Sequence, residues 1–172
     1  MPEPIIKQEG TEKNACARNA TKRLMAQLRQ DHPHLRMIVT EDSLSSNAPP
    51  IETLHEFGCH YILGVKEGDP AYLFEQVRAA AAAGRVTAYE RRDRAAGLVH
   101  RFRFLNDVPL NASHPELRVN FLEYWEIHAD HVQHCSWVTD LRVHHANVET
   151  LMRGGRARWK IEHEKIELTP FH

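Results

Sequence analysis

Two acids and one arginine stand where a chain of this size could do phosphate chemistry. Asp42 closes the apolar run "LRMIVTED" (35–42) and precedes a loop of Ser, Asn and Pro, "SLSSNAPP". Strand ends of this kind in α/β proteins commonly carry functional side chains. Glu162 follows the basic stretch "RGGRARWK" (153–160), in which two adjacent glycines open an Arg-rich turn. Arg158 lies four residues before Glu162, so a helix would present both on one face. A strand-end carboxylate and a helix-borne one form the oxygen donor set that magnesium or manganese takes. Two such ions about 4 Å apart activate an attacking oxygen and stabilise a leaving one in phosphodiester chemistry. Arg158 would grip phosphate, as a planar guanidinium does well. Read as surface charges alone, the same residues are simply solvated. Arg158 and Glu162 are then a helix pair worth roughly 0.3–0.5 kcal/mol.

A second chemistry competes. The chain has 13 histidines, among them His32, His34, His128, His131, His134 beside Cys135, and the pair His144–His145. Histidine with cysteine is zinc chemistry in principle. However, His128 and His134 flank an expected turn at Asp130, and neither CxxC nor HExxH spacing occurs. Cys135 reads as a core thiol. Tyr124, Trp125 and Trp137 offer base-stacking faces but read first as core or cross-strand partners. No GxSxG, P-loop or GxGxxG pattern is present.

The elements that must position these residues follow from periodicity. Ala17, Ala20, Leu24, Met25 and Leu28 recur at helical spacing within residues 13–30. The 35–42 run reads as a buried strand. A short helix spans 51–57, with Pro49 and Pro50 suited to its opening and Gly58 to its end. "HYILGVK" (60–66) is a second buried strand, and "PAYLFEQVRAAAAAG" (70–84) a helix closed by Gly84. From 85 to 141 the pattern turns to hairpins: "RVTAYERR", "LVHRFRFL", "LRVNFLEYWEIH" and "VQHCSWVTDL", with turns at "DRAAG" and "HAD". Helical spacing returns from about Asn147. The fold class is therefore α/β, with an antiparallel β insertion before the last helix. The 35–42 and 60–66 strands should lie side by side and parallel in one central sheet.

Composition narrows the field. With 172 residues the chain has enough length for one domain. A net charge of −1 gives no overall pull towards polyanions, so any such site must be a local patch. The opening "MPEPIIKQEG" is too polar for a signal peptide, and no apolar run reaches membrane-spanning length. Three scattered cysteines argue against a disulfide framework and for a cytoplasmic location.

In order along the chain stand "KNACARNATKRLM", "PHLRMIVTEDSLSSNAP", "YILGVKEGDPAYLFEQV", "HRFRFLNDVPLN", "LRVNFLEYWEI", "SWVTDL" and "LMRGGRARWKIE". Together they resemble the catalytic core of bacterial insertion-sequence transposases of the DDE type. The resemblance implies a partial ribonuclease-H-like fold over residues 1–172, with the β insertion at about 85–141. It implies metal-dependent DNA strand cleavage and transfer. Asp42 would match the family's second aspartate and Glu162 its final glutamate, both as metal ligands for Mg2+ or Mn2+. Arg158 would match the arginine one turn before that glutamate, and Arg153, Arg156, Arg158 and Lys160 would contact DNA. The partner would be the terminal inverted repeats of the element, with a homo-oligomer expected of the intact family member.

Three departures qualify the match. The family's first aspartate lies on a strand upstream, where this chain offers only Glu3, Glu9 and Glu12. Past Glu162 only ten residues remain, so the chain resembles a transposase truncated at both ends, inactive alone. The tyrosine many relatives carry one turn before the arginine is Gly155 here. The alternatives are a non-catalytic DNA- or partner-binding remnant and a His-rich metal-binding protein.

Overall fold

The computed structural model describes residues 13–41, 48–68 and 70–164, with side chains described for 19–41, 49–68 and 70–157. The first helix, α1 (Lys13–Asp31), buries Ala20 and Met25 and packs Leu24 and Leu28 on the core, as the helical spacing predicts. Its basic last turn has a specific use. The Arg29 guanidinium donates to the Phe57 carbonyl at 2.6 Å and to the Leu35 carbonyl at 2.9 Å. One side chain thereby fastens the segments that lead into the first two strands.

Those strands are β1 (Ile38–Glu41) and β2 (His60–Val65), parallel and in register from Ile38↔His60 to Glu41↔Leu63. The helix between them, α2 (Ala48–Glu56), starts three residues earlier than the spacing predicts. Pro49 and Pro50 occupy its first turn, where a missing N–H leaves no hydrogen bond unmade. After β2 comes α3 (Ala71–Ala82), with Leu73, Phe74, Val77 and Ala80 buried. Gly58 and Gly84 end α2 and α3 in the left-handed region, at φ +60° and +66°.

Four antiparallel strands follow: β3 (Thr87–Asp93), β4 (Leu98–Pro109), β5 (Arg118–Ile127) and β6 (Val132–Thr139). The turns between β3 and β4 and between β5 and β6 fall at the two expected places. The block is not a separate sheet, however. β6 pairs antiparallel with β2, from Ile62↔Thr139 to Val65↔Ser136, so the six described strands form one sheet in the order β1-β2-β6-β5-β4-β3.

Both faces of this sheet are covered near β2, β5 and β6. On one face α1, α2 and α3 enclose a core around Tyr61, Leu63, Val108, Phe121 and Val138. On the other, α4 (Val148–Glu164) packs Val148, Leu151 and Met152 over Ile62, Phe102, Leu122, Tyr124 and Trp137. The pleat explains this division, since neighbours such as Phe121 and Leu122 point to opposite faces. The protein is thus a mixed α/β molecule.

The first strand departs from expectation. β1 is shorter than the 35–42 run and only half-buried, with Ile38 55% and Leu35 51% exposed. Among the described residues β1 stands at the edge of the sheet, paired on one side only. An apolar run reads the same at an edge as in the middle of a sheet. Among the described residues no helix is long and apolar enough to cross a membrane.

Candidate functional site

The last helix decides where the basic stretch goes. Glu149 in its first turn complements the helix dipole and accepts from Arg91 Nε at 2.9 Å. Val148, Leu151 and Met152 mark the buried stripe, and the next positions on that stripe are Gly154 and Gly155. The two glycines therefore lie inside the helix rather than opening a turn. A Cβ at Gly155 would meet the Trp137 indole at 2.5 Å, and one at Gly154 would meet Ile62 Cδ1 at 2.8 Å. With no side chain in the way, the helix backbone rests on the side chains of Ile62 in β2 and Trp137 in β6. It continues across the sheet to lie against β1 as well.

Arg153 is exposed. Arg156 points elsewhere. Its Nη1 donates to Glu126 Oε2 at 2.5 Å, its Nη2 donates to Gln133 Oε1 at 3.3 Å, and its Cζ lies 5.7 Å from the Tyr124 ring centroid. Glu126 is the centre of the cluster. It also accepts the Tyr124 hydroxyl at 2.8 Å on Oε2 and His128 Nε2 at 2.9 Å on Oε1. Because the Tyr124 hydroxyl donates to Glu126, its oxygen accepts from His100, whose Nδ1 lies 2.8 Å away. That arrangement sets the proton of the buried His100 on Nδ1.

The electrostatics follow from these contacts. Burial raises the Glu126 carboxyl, but hydrogen bonds from Tyr124, Arg156 and His128 outweigh burial and bring it down to about 2. Burial pushes the Tyr124 phenol well above its usual range, and the bond to the Glu126 carboxylate adds to the rise. Burial also raises the half-buried Cys135 thiol, which makes it a poor nucleophile.

A second cluster occupies the opposite face at the same end of β5. Glu123, 5% exposed, accepts from Arg103 Nη2 at 2.5 Å and from His134 Nε2 at 2.9 Å. Trp125 stacks on the His134 ring at 5.0 Å and carries the Arg103 guanidinium 5.4 Å from its own ring. Of the aromatics weighed as base-stacking faces, Tyr124 and Trp137 are buried, and Trp125 is half-buried between these two neighbours.

The acids singled out by the sequence lie beyond these side chains. Asp42 is outside the described residues. Arg158, Lys160 and Glu162 are on the described backbone of α4, but their side chains are not among those described. What the structure brings together is therefore the elements: β1, which ends at Glu41 immediately before Asp42, and the helix that bears Glu162. Among the described residues no three His, Cys, Asp or Glu side chains gather to hold a metal. His128 and His131 stack on each other at 4.0 Å, and His60 pairs with Asp140 at 2.6 Å. Sequence reasoning missed Glu126 and its partners. Thirty positions separate Glu126 from Arg156, and no spacing rule connects a strand end to a helix turn that far along the chain. No protein-family model matches the chain, and no curated protein matches it in sequence.

Proposed function

We propose that the chain is a DDE-type insertion-sequence transposase core, with a ribonuclease-H-like arrangement, built for metal-dependent DNA strand cleavage and transfer. One observation carries this reading. A strand ending just before Asp42 pairs in parallel with β2, and the helix bearing Arg158 and Glu162 returns across the same two strands. Between the two acids in sequence lie α2, β2, α3 and the long excursion through β3 to β6, which rejoins the sheet beside β2.

The donor chemistry fits a hard divalent ion. Asp42 and Glu162 offer carboxylate oxygens, which magnesium and manganese accept without nitrogen or sulfur ligands. A bound ion would polarise the phosphodiester and stabilise its leaving oxygen. The chain's own contribution is to hold DNA phosphate through Arg158, with Arg153 and Lys160 adding positive charge along the helix. Arg156 is taken up by Glu126 and is withdrawn from that group. The partner is DNA, at the terminal repeats of a mobile element.

Manganese binding tests the reading. Titration of the 172-residue chain with Mn2+, followed by paramagnetic resonance, should show a weak site lost in both Asp42→Asn and Glu162→Gln. Salt-dependent binding of duplex DNA should survive both substitutions and fall in Arg153→Ala. Mn2+ binding indifferent to both acids would end the proposal. The alternative, a non-catalytic partner-binding chain, draws on the exposed apolar residues Leu35 and Ile38 at β1, the edge strand among the described residues. It predicts no Mn2+ site at all.

A further inference from the structure

The cluster around Glu126 contains no residue with an assigned task, yet it joins α4 to the sheet just before Arg158. We infer that Glu126, Tyr124 and Arg156 form a clasp that positions the final turns of α4, and so are positioning residues for Arg158 and Glu162. The inference rests on the proposed transposase reading and adds residues to the same site.

The geometry favours a clasp over a phosphate contact. Both terminal nitrogens of Arg156 donate to acceptors within the protein, and its charge sits against a carboxylate that is 13% exposed. A DNA phosphate would have to displace Glu126 and leave it buried without its cation. Glu126 is itself held from two further directions, by the Tyr124 hydroxyl and by His128 in the turn after β5. His100 on β4 extends the chain of hydrogen bonds to a third strand. A carboxylate fixed this way gives the guanidinium one seat.

The position along the helix supplies the purpose. The contacts at Gly154 and Gly155 set how deeply α4 sits, but bare backbone on an indole resists rotation about the helix axis poorly. Arg156 projects sideways and supplies that resistance. Six residues further on, about 9 Å along the axis, comes Glu162. A helix rotation of about 20° would carry the backbone there, at a radius of about 2.3 Å, sideways by roughly 0.8 Å, and whatever it bears further still. Displacements of about 1 Å already cost catalytic sites heavily.

Amide hydrogen exchange on the full 172-residue chain tests this, with Mn2+ as the second probe. In Glu126→Gln and Arg156→Leu, amides of residues 157–164 should exchange at least tenfold faster, while those of β4 and β5 keep their protection. Arg156→Lys, which keeps the charge and loses the fork, should show a smaller rise and guards against a variant that fails to fold. The exchanged pair, Glu126→Arg with Arg156→Glu, should recover part of the protection. Mn2+ affinity should fall in step with the loosening, although none of the altered residues is a metal ligand. Unchanged protection of 157–164 in all variants would overturn the clasp. Faster exchange with undiminished Mn2+ affinity would overturn its positioning role. Failure of the unaltered chain to bind Mn2+ would instead sink the transposase reading, with the exchange data still deciding whether the clasp exists.

Discussion

Replacing Gly155 with alanine sets two known effects against each other. In an open helix the change stabilises by about 0.5–1 kcal/mol, because glycine loses more backbone freedom on folding. At position 155 the new methyl would stand 2.5 Å from Cε2 and Nε1 of Trp137 and 2.9 Å from Cδ1. Carbon atoms in comfortable contact are about 3.5–4.0 Å apart, so the overlap is about 1 Å on a rigid ring. Trp137 is 5% exposed and packed among Ile62, Leu122 and Tyr124, which leaves the indole nowhere to turn. Overpacking of this kind costs about 1–3 kcal/mol, so Gly155→Ala should lose about 1–2 kcal/mol net. Gly154→Ala is the internal control. Its methyl would meet only Ile62 Cδ1, at 2.8 Å, the tip of a side chain that can change rotamer. It should stay within about 0.5 kcal/mol of the parent or gain slightly. Urea unfolding followed by tryptophan fluorescence and circular dichroism reads both. In a Trp137→Leu background, itself weakened by its cavity, Gly155→Ala should no longer destabilise, giving a coupling of about 1 kcal/mol or more. If Gly155→Ala is as stable as Gly154→Ala, or the coupling is absent, the close approach of α4 to β6 is wrong.

Acid sensitivity and one buried hydroxyl give two further expectations. The folded Glu126 carboxyl lies at about 2 against an ordinary 4.5, so its contribution is complete above the unfolded value and is lost as pH falls from about 5 towards 2. At full strength it is on the order of 3 kcal/mol, and Glu126→Gln should remove this part of the acid-unfolding slope in urea titrations between pH 2 and 5. An unaltered slope would show that the carboxylate is not held as described. Tyr61 is fully buried, and its hydroxyl has no hydrogen-bond partner among the described residues. Tyr61→Phe should therefore be neutral or stabilising by up to about 1 kcal/mol, and a clear loss in urea midpoint would reveal a partner for the hydroxyl.

Local pattern carried much of the fold. The spacing of Leu73, Phe74 and Val77 marks α3, and the polar turns at 93–97 and 128–131 delimit hairpins, because both signals act between near neighbours. Pairings between distant strands were not legible in the same way. Nothing in "SWVTDL" says that β6 will lie beside β2, and nothing in "LRMIVTED" separates an edge strand from a central one. The basic helix shows the same limit at the site. Arg156 reads as one phosphate-facing cation among several, since composition counts charges without their partners. Its partner Glu126 lies at the end of a strand whose alternation gives no hint of a helix overhead.

The union of the β block with the parallel pair also bears on how the chain folds. The three hairpin contacts from β3 to β6 join neighbours in sequence, and β1 reaches β2 through a short helix. The seam between the two groups is different: the Ser136 hydroxyl donates to the Val65 carbonyl across 71 positions. Closing so long a loop is slow, and contacts of this separation govern folding rate more than stability. On a ribosome adding 5–20 residues per second, β2 emerges roughly 4–14 s before the residue that completes its second edge. For that interval an apolar strand stands open to any other chain, and the yield of native protein depends on how quickly β6 arrives.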